Sequence, residues 1–175
     1  QMTVRAQIPS KFNAKLSTSG GDVVVQALTG TLALATSGGD IELGAINGDG
    51  IKVTTSGGDI EAGALHGPMK LTTSGGDIEL GAVNGPEVYV TTSGGDIEMG
   101  AVSGGDVMVA TLTGTLALAT SGGDIELGAI NGDGIKVTTS GGDIEAGALN
   151  GPMKLTTSGG DIELGAVNGP EVYVT

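Results

Sequence analysis

Hydrophobic and polar residues alternate in short runs along almost the whole chain. Ile41 and Leu43 alternate with Asp40 and Glu42, and residues 51–55 (IKVTT) alternate in the same way. A period of two is typical of a strand with one buried face, because successive side chains of a strand point to opposite sides. The pattern therefore predicts short β-strands throughout the chain, with the Ile, Val and Leu positions facing inward.

Each run ends at a turn signal that recurs at a nearly constant spacing. A second signal, such as Asn47-Gly48, lies between consecutive copies of the first, so the repeating unit is one strand and one turn of about nine residues. Glycine is expected at these turns because it adopts positive φ readily. The first signal is Ser-Gly-Gly-Asp, which ends at Asp22, Asp40, Asp59, Asp77, Asp96, Asp106, Asp124, Asp143 and Asp161.

Short strands joined by glycine turns fit two architectures, an antiparallel meander and a parallel solenoid. In a meander each strand would need a different partner. Here like residues recur at a near-fixed period, which suits identical coils stacked in register about 4.8 Å apart. The sequence therefore predicts an all-β protein with the fold of a parallel β-helix, or β-solenoid.

A longer repeat lies over the short one. Such high identity indicates an engineered or very recent internal duplication, and the abrupt end on a strand at Thr175 favours an engineered or truncated chain. The expected organisation is an N-terminal cap at residues 1–18, a first solenoid copy at residues 19–105 and a second copy at residues 106–175, all in one continuous solenoid. Residues 22–91 match residues 106–175 except at four positions, Val24/Met108, Gln26/Ala110, Ala27/Thr111 and His66/Asn150.

The offset of 84 residues between the copies also bears on the shape of one coil. It spans nine units, an odd number, so coils of two units (18–19 residues) would place the second copy half a turn out of phase with the first. Coils of three units, about 28 residues each, divide the offset evenly. They also avoid an uninterrupted column of Glu42, Glu61, Glu79 and Glu98, whose like charges would repel. We therefore expect three-sided coils in preference to two-sided ones.

Composition and charge exclude several classes of function. The net charge is -13 at pH 7, whereas phosphate binding needs clustered Lys and Arg, so nucleic acid is not an expected partner. No run approaches the roughly 18 apolar residues of a membrane span. The absence of Cys excludes disulfides and thiolate metal sites, and with no Trp the core must consist of Ile, Val, Leu, Met, Ala and Thr.

Three stretches resemble a known group of bacterial proteins. These are residues 4–9 (VRAQIP), residues 14–23 (AKLSTSGGDV) and the repeats of TSGGDIELGAINGDGIKVTTSGGDIE. They are similar to the bacterial adhesin-type β-helix families, in the style of the auto-transporter adhesin head (GIN) domains. The resemblance covers nearly the whole chain and implies a β-helix with an extracellular, cell-surface or periplasmic location. It implies no particular biochemical activity, and the near-exact duplication departs from the looser repeats of such families.

Candidate catalytic chemistry is sparse. The one histidine, His66, lies at a turn and is replaced by Asn150 in the second copy, which indicates an exposed turn residue. The single arginine, Arg5, and the lack of long insertions do not provide the converging charged side chains that an enzymatic β-helix would need. We therefore expect no enzymatic activity, no catalytic residue and no cofactor.

Two repetitive features could bind something. Adjacent threonines point to opposite faces, so each Thr-Thr pair predicts one outward hydroxyl and one inward hydroxyl bonded to turn backbone. The pairs are Thr54/Thr55, Thr72/Thr73, Thr91/Thr92, Thr138/Thr139 and Thr156/Thr157. Acidic pairs offer oxygen ligands of the kind that Ca²⁺ prefers, but a solvated acidic face is the favoured interpretation, because the Gly-Gly-x-Gly-x-Asp calcium pattern is not present. The weak candidates for metal ligands are Asp40, Glu42, Asp59, Glu61, Asp77 and Glu79.

Taken together, these observations predict a non-enzymatic structural repeat protein, acting as a scaffold, a fibre subunit or an adhesin-like stalk. The alternative is a binding module whose acidic or Thr-bearing face holds a cation or a surface such as glycan or ice. The expected partner is a second copy of the chain, because the last strand has no charged cap or Pro to protect its edge. The residues of this expected assembly edge are Glu171, Val172, Tyr173, Val174 and Thr175.

Overall fold

A computed structural model describes residues 11–175 as a parallel β-solenoid with two nine-stranded sheets. We call them the odd sheet and the even sheet after the strands that they contain. The odd sheet consists of β1 (Ala14–Ser17), β3 (Leu32–Ala35), β5 (Ile51–Thr54), β7 (Met69–Thr72), β9 (Glu87–Thr91), β11 (Asp106–Thr113), β13 (Ile125–Asn131), β15 (Ile144–Asn150) and β17 (Ile162–Asn168). The even sheet consists of β2 (Val23–Thr29), β4 (Ile41–Asn47), β6 (Ile60–His66), β8 (Ile78–Asn84), β10 (Ile97–Ser103), β12 (Leu116–Thr120), β14 (Ile135–Thr139), β16 (Met153–Thr157) and β18 (Val172–Val174).

The prediction of a parallel solenoid is confirmed, but the preference for three-sided coils is wrong. Each coil has two strands, and Ile41 pairs with Val23 on one side and with Ile60 on the other, 18 and 19 residues away. Two sheets packed back to back bury both alternating apolar faces, so a third side is not needed. The like-charge columns that argued against this arrangement lie at the surface, where water and salt screen them.

The core follows the alternation along the chain. Ile41 and Val53 are 1% and 0% exposed, while Glu42 and Lys52 are exposed, which confirms the predicted inward and outward positions. A single apolar cluster of Ile, Leu, Val, Met and Ala side chains runs the length of the solenoid between the sheets. Each buried position touches its equivalents in the coils before and after, so the core is continuous from coil to coil.

A shift of half a coil occurs between β10 and β11. Elsewhere a seven-residue strand alternates with a shorter one, but β10 and β11 are both of the long type and only Gly104 and Gly105 separate them. As a result β11 pairs with β9 in the odd sheet, and every strand of the second copy lies in the opposite sheet from its counterpart in the first. The half-turn displacement that follows from two-sided coils is therefore present in the molecule.

The turns are held by hydrogen bonds between successive coils. At the corner near Gly76, the Thr73 hydroxyl donates to the carbonyl of Gly58 at 2.9 Å and accepts from the N–H of Gly76 at 3.2 Å. Similar bonds at Thr55, Thr92, Thr139 and Thr157 confirm the predicted inward role of the second threonine of each pair. Thr36, which follows Ala35, also donates to a glycine carbonyl of the preceding coil. The series is interrupted after the shift, because among residues 11–175 the buried hydroxyl of the corner residue Thr120 has no partner. The hydroxyl of Thr91, the first threonine of its pair and expected to face outward, is also buried without a partner there.

The expected positive φ is confirmed at the second turn signal for Gly30, Gly67, Gly114 and Gly151. Glycine serves the Ser-Gly-Gly-Asp corners for a different reason. Apart from Gly104, with φ of 92°, neither glycine of a described Ser-Gly-Gly-Asp turn has positive φ. Instead the second glycine packs on the carbonyl of the equivalent glycine one coil earlier, and a Cβ on Gly76 would collide with the backbone of Gly58. Close stacking of the coils, and not the turn conformation, therefore requires glycine here.

The expected N-terminal cap falls partly outside the described residues. Residues 1–10 lie outside them, while β1 is the first strand of the odd sheet and pairs with β3. The division of the chain at residue 18 stays a prediction. No helix long and apolar enough to cross a membrane occurs among residues 11–175.

Candidate functional site

The outer face of each sheet carries one continuous column of side chains that changes charge along its length. In the odd sheet the column begins with lysines and ends with glutamates, with Tyr89 and Met108 in the middle. Register places these residues directly above one another. In order, the column is Lys15, Ala33, Lys52, Lys70, Tyr89, Met108, Glu126, Glu145 and Glu163.

The even sheet carries the same residue types in the reverse order. Its acidic half comes first and its lysines last, because the half-coil shift moves the second copy to the opposite sheet. In order, this column is Val24, Glu42, Glu61, Glu79, Glu98, Ala117, Lys136, Lys154 and Tyr173. On each face the charge of the column therefore changes sign along the solenoid axis. It goes from positive to negative on the odd sheet and from negative to positive on the even sheet.

Opposite charges are not neighbours within either column. Tyr89 and Met108 separate Lys70 from Glu126 in the odd sheet, and Ala117 separates Glu98 from Lys136 in the even sheet. The Lys70 Nζ lies 4.3 Å from the centre of the Tyr89 ring, a cation–π contact. Each half of a face therefore keeps its charge uncompensated by the other half.

Aspartates form a second ladder at the start of the long strands. The backbone N–H of Asp59 donates to Oδ1 of Asp40 at 2.9 Å, and that of Asp77 donates to Oδ1 of Asp59 at 2.8 Å. The ladder moves to the odd sheet in the second copy, where the N–H of Asp143 donates to Oδ1 of Asp124 at 2.9 Å. One oxygen of each of these carboxylates is thus used in holding consecutive coils together.

The proposed Ca²⁺ ligands lie on one side of the even sheet but do not surround a common point. Glu42, Glu61 and Glu79 stack in the outward column, while Asp40, Asp59 and Asp77 stack at the strand starts. Across residues 11–175, no group of three or more Asp, Glu or His side chains is arranged to hold a metal ion. Calcium binding stays a prediction that no observation here tests.

His66 has the position of a turn residue. It ends β6, its side chain is exposed, and it stacks between Asn47 and Asn84. In the second copy Asn150 takes this position and donates from Nδ2 to Oδ1 of Asn131 at 2.7 Å. His66 thus replaces one amide in a column of polar side chains.

The expected assembly edge is the last coil of the structure. β17 pairs with β15 and β18 pairs with β16, and each has its other edge free of any described strand. Val172, Tyr173 and Val174 are 41%, 61% and 42% exposed. Their role in assembly stays a prediction. Sequence reasoning missed the reversal of charge along each face, although the signal was present: an 84-residue offset combined with coils of 18–19 residues requires the copies to exchange sheets.

These features define the class of the protein: a two-sided parallel β-solenoid built from nine-residue units with outward charge columns. The chain belongs to the Toastrack DUF4097 family, whose model matches residues 3–104. The match ends at Gly104, at the half-coil shift, so it covers the first copy and stops where the second begins. No curated protein and no solved structure shows significant similarity to the chain.

Proposed function

We propose that the protein is a non-enzymatic structural element, a rigid rod that serves as a scaffold or as an adhesin-like stalk. The observation that carries this proposal is the pairing pattern, in which every described strand is hydrogen-bonded only to the strands one coil before and one coil after it. A structure built in this way has a length set by the number of coils and no part that differs strongly from the rest.

The surface supports a structural role over an enzymatic one. Outward positions repeat from coil to coil, and the connections between the described strands are tight turns without loop excursions. A groove of about 930 Å³ follows the odd sheet, but the repeating column positions line it, among them Lys52, Lys70 and Glu126. The charged side chains of the columns are exposed. A catalytic site in a repeat protein needs a place where the repeat is broken, and at the shift only Gly104 and Gly105 separate the two strands, without an added loop.

We also propose an extracellular, cell-surface or periplasmic location. The support for it is the resemblance of the repeats to adhesin-type β-helix families. End-to-end contact through the last coil would extend such a rod.

The rod proposal is tested by changing the number of coils. Deleting residues 22–105 joins residues 1–21 to Asp106, which follows Gly105 as Asp22 follows Gly21. Nine strands per sheet at about 4.8 Å spacing span about 40 Å, so the deletion should shorten the rod by about half. Small-angle X-ray scattering measures the length, and circular dichroism checks the fold. Loss of the fold would contradict the modular rod.

A further inference from the structure

The outer face of the odd sheet has a charge pattern that is complementary to itself. Lysines occupy one half of its central column and glutamates the other, and the apolar side chains of Tyr89 and Met108 lie between the halves. The same face therefore offers both partners of an ion pair, but too far apart along the column to form it within one chain.

We propose that this face binds the same face of a second copy of the chain, in a symmetric dimer with antiparallel solenoid axes. The two-fold axis would lie in the interface, parallel to the strands, between β9 and β11. Interfaces of this isologous kind are the commonest in soluble homo-oligomers. This inference goes beyond the rod proposal, because a rod can be monomeric.

Counting strands from this axis gives the contacts. β7 and β13 are each one strand from the central pair, and β5 and β15 are each two strands away. Lys70 would therefore face Glu126 of the second copy, and Lys52 would face its Glu145. Tyr89 would face Met108 at the centre, and symmetry doubles every contact.

The direction of the axis follows from the charges. A two-fold axis along the solenoid would place Lys52 and Lys70 opposite the same lysines of the second copy, and glutamates opposite glutamates. An axis parallel to the strands reverses the order of the coils and keeps each position along the strand, so the charge columns still overlap. Only the second arrangement brings opposite charges together, and like charges across an interface are unfavourable.

The face is open on one side of the column and is large enough for a modest dimer. On that side Thr54 and Thr72 lie beside the lysines, and Gly128 and Ala129 lie beside Glu126. On the other side exposed carboxylates follow the strand starts, and these are Glu87, Asp106, Asp124 and Asp143. With the axis between β9 and β11, eight strands of each copy overlap, from β3 to β17. At about 4.8 Å spacing and about 15 Å width they give about 600 Å² per copy. The total of about 1,200 Å² is at the lower end of specific interfaces, so we expect a reversible dimer.

The even sheet is the less suitable face. Applying the same symmetry between β10 and β12 would pair Glu79 with Lys136 and Glu61 with Lys154, but it would place Glu98 opposite Ala117 at the centre. Two carboxylates would then lose water at the middle of the interface without a cation to pair with, which is unfavourable. The odd sheet has Tyr89 and Met108 at that position, and its central carboxylates, Glu87 and Asp106, lie two residues earlier, at the starts of β9 and β11. Glu87 would face Asp106 of the second copy at the rim of the interface, where water reaches both.

Charge reversal on each face provides a matched pair of variants. The double variant Lys52→Glu/Lys70→Glu should weaken the dimer by about 100-fold or more, since four attractive pairs become repulsive. The control Lys136→Glu/Lys154→Glu makes the same changes in nearly the same local sequence on the even sheet, and its dimer should form as in the unchanged chain. Sedimentation velocity over a concentration series measures both, and circular dichroism confirms that each variant is folded.

A charge swap gives the decisive result. The variant Glu126→Lys/Glu145→Lys should also be monomeric, but mixing it with Lys52→Glu/Lys70→Glu should restore a one-to-one heterodimer that weakens with added salt. The proposal is overturned if the unchanged chain is a monomer at millimolar concentration, if the even-sheet variant is the one that loses the dimer, or if the mixture stays monomeric. Open-ended polymers that respond to neither face variant would indicate association through the ends instead. A monomer of the expected rod length would leave the rod proposal intact.

Discussion

The two copies of the repeat have almost the same sequence but different surroundings. Val88 in β9 is 2% exposed, whereas its counterpart Val172 in β18 is 41% exposed. The two valines have the same neighbours in sequence and lie in equivalent strands. Their exposure differs because β11 covers β9, whereas no described strand covers β18. Burial of a side chain in this solenoid therefore depends on whether a further coil covers its strand. A valine at the same position of the repeat can be a core residue or an edge residue.

The largest expected effect is a buried charge placed in one copy or the other. Val88→Asp should lower the free energy of unfolding by about 3–5 kcal/mol, because it buries an unpaired carboxylate. Val172→Asp should cost less than about 1 kcal/mol, because water reaches that position. Urea denaturation of the two variants measures the difference. Equal losses would show that the last coil is covered in solution.

Contacts with the preceding coil should be alike in the two copies. An Ala side chain at Gly76 or at Gly160 would collide with the backbone of the glycine one coil earlier, Gly58 or Gly142. We expect Gly76→Ala and Gly160→Ala each to cost about 1–3 kcal/mol, as overpacking does. Gly75→Ala is the control, since its nearest neighbour would be the Ser56 carbonyl oxygen at 3.7 Å. Thermal melts compare the three, and a harmful Gly75→Ala would mean that turn conformation, not coil stacking, selects glycine.

A smaller effect is expected at the corner threonines. Thr73 is 1% exposed and bridges Gly58 and Gly76, so Thr73→Val should cost about 1–2 kcal/mol by leaving buried backbone groups without their partner. Thr157 makes the same two bonds but is only partly buried, so Thr157→Val should cost less. Thr72→Val, one residue away and facing outward, serves as the control for the loss of a hydroxyl. A Thr73→Val variant as stable as the unchanged chain would contradict the role of this bridge.

The smallest expected effect concerns association through the last coil. The N–H of Thr175 donates back to Leu155 at 3.1 Å, so the N–H of Val174, one residue earlier, points to the free edge. Val174→Pro removes that donor and should reduce weak end-to-end association by a few-fold. Sedimentation in the Lys52→Glu/Lys70→Glu background separates this contact from the proposed face-to-face dimer. Unchanged association in the proline variant would place the contact elsewhere.

Much of the architecture could be predicted from particular residues. The alternation at Ile41 and Glu42 correctly assigned the inward and outward faces, and the Thr-Thr pairs correctly assigned one hydroxyl to the corner. The number of sides could not be obtained in this way, because a period of two describes one strand and is silent on how many strands make a coil. Repulsion within the column of exposed glutamates was also given too much weight, because water and salt screen it. This led to the wrong preference for three-sided coils.

The sequence by itself determined the strands, the turns and the stacking of like residues, since all of these depend on neighbours along the chain and on a fixed repeat. Only the tertiary structure decided which sheet each copy occupies. Gly104 and Gly105 form one short connection between two long strands. With two-sided coils, this connection places every later strand in the opposite sheet from its counterpart in the first copy. The charge pattern of the surface depends on this exchange, because side chains far apart in sequence share a column only after the coils have been counted.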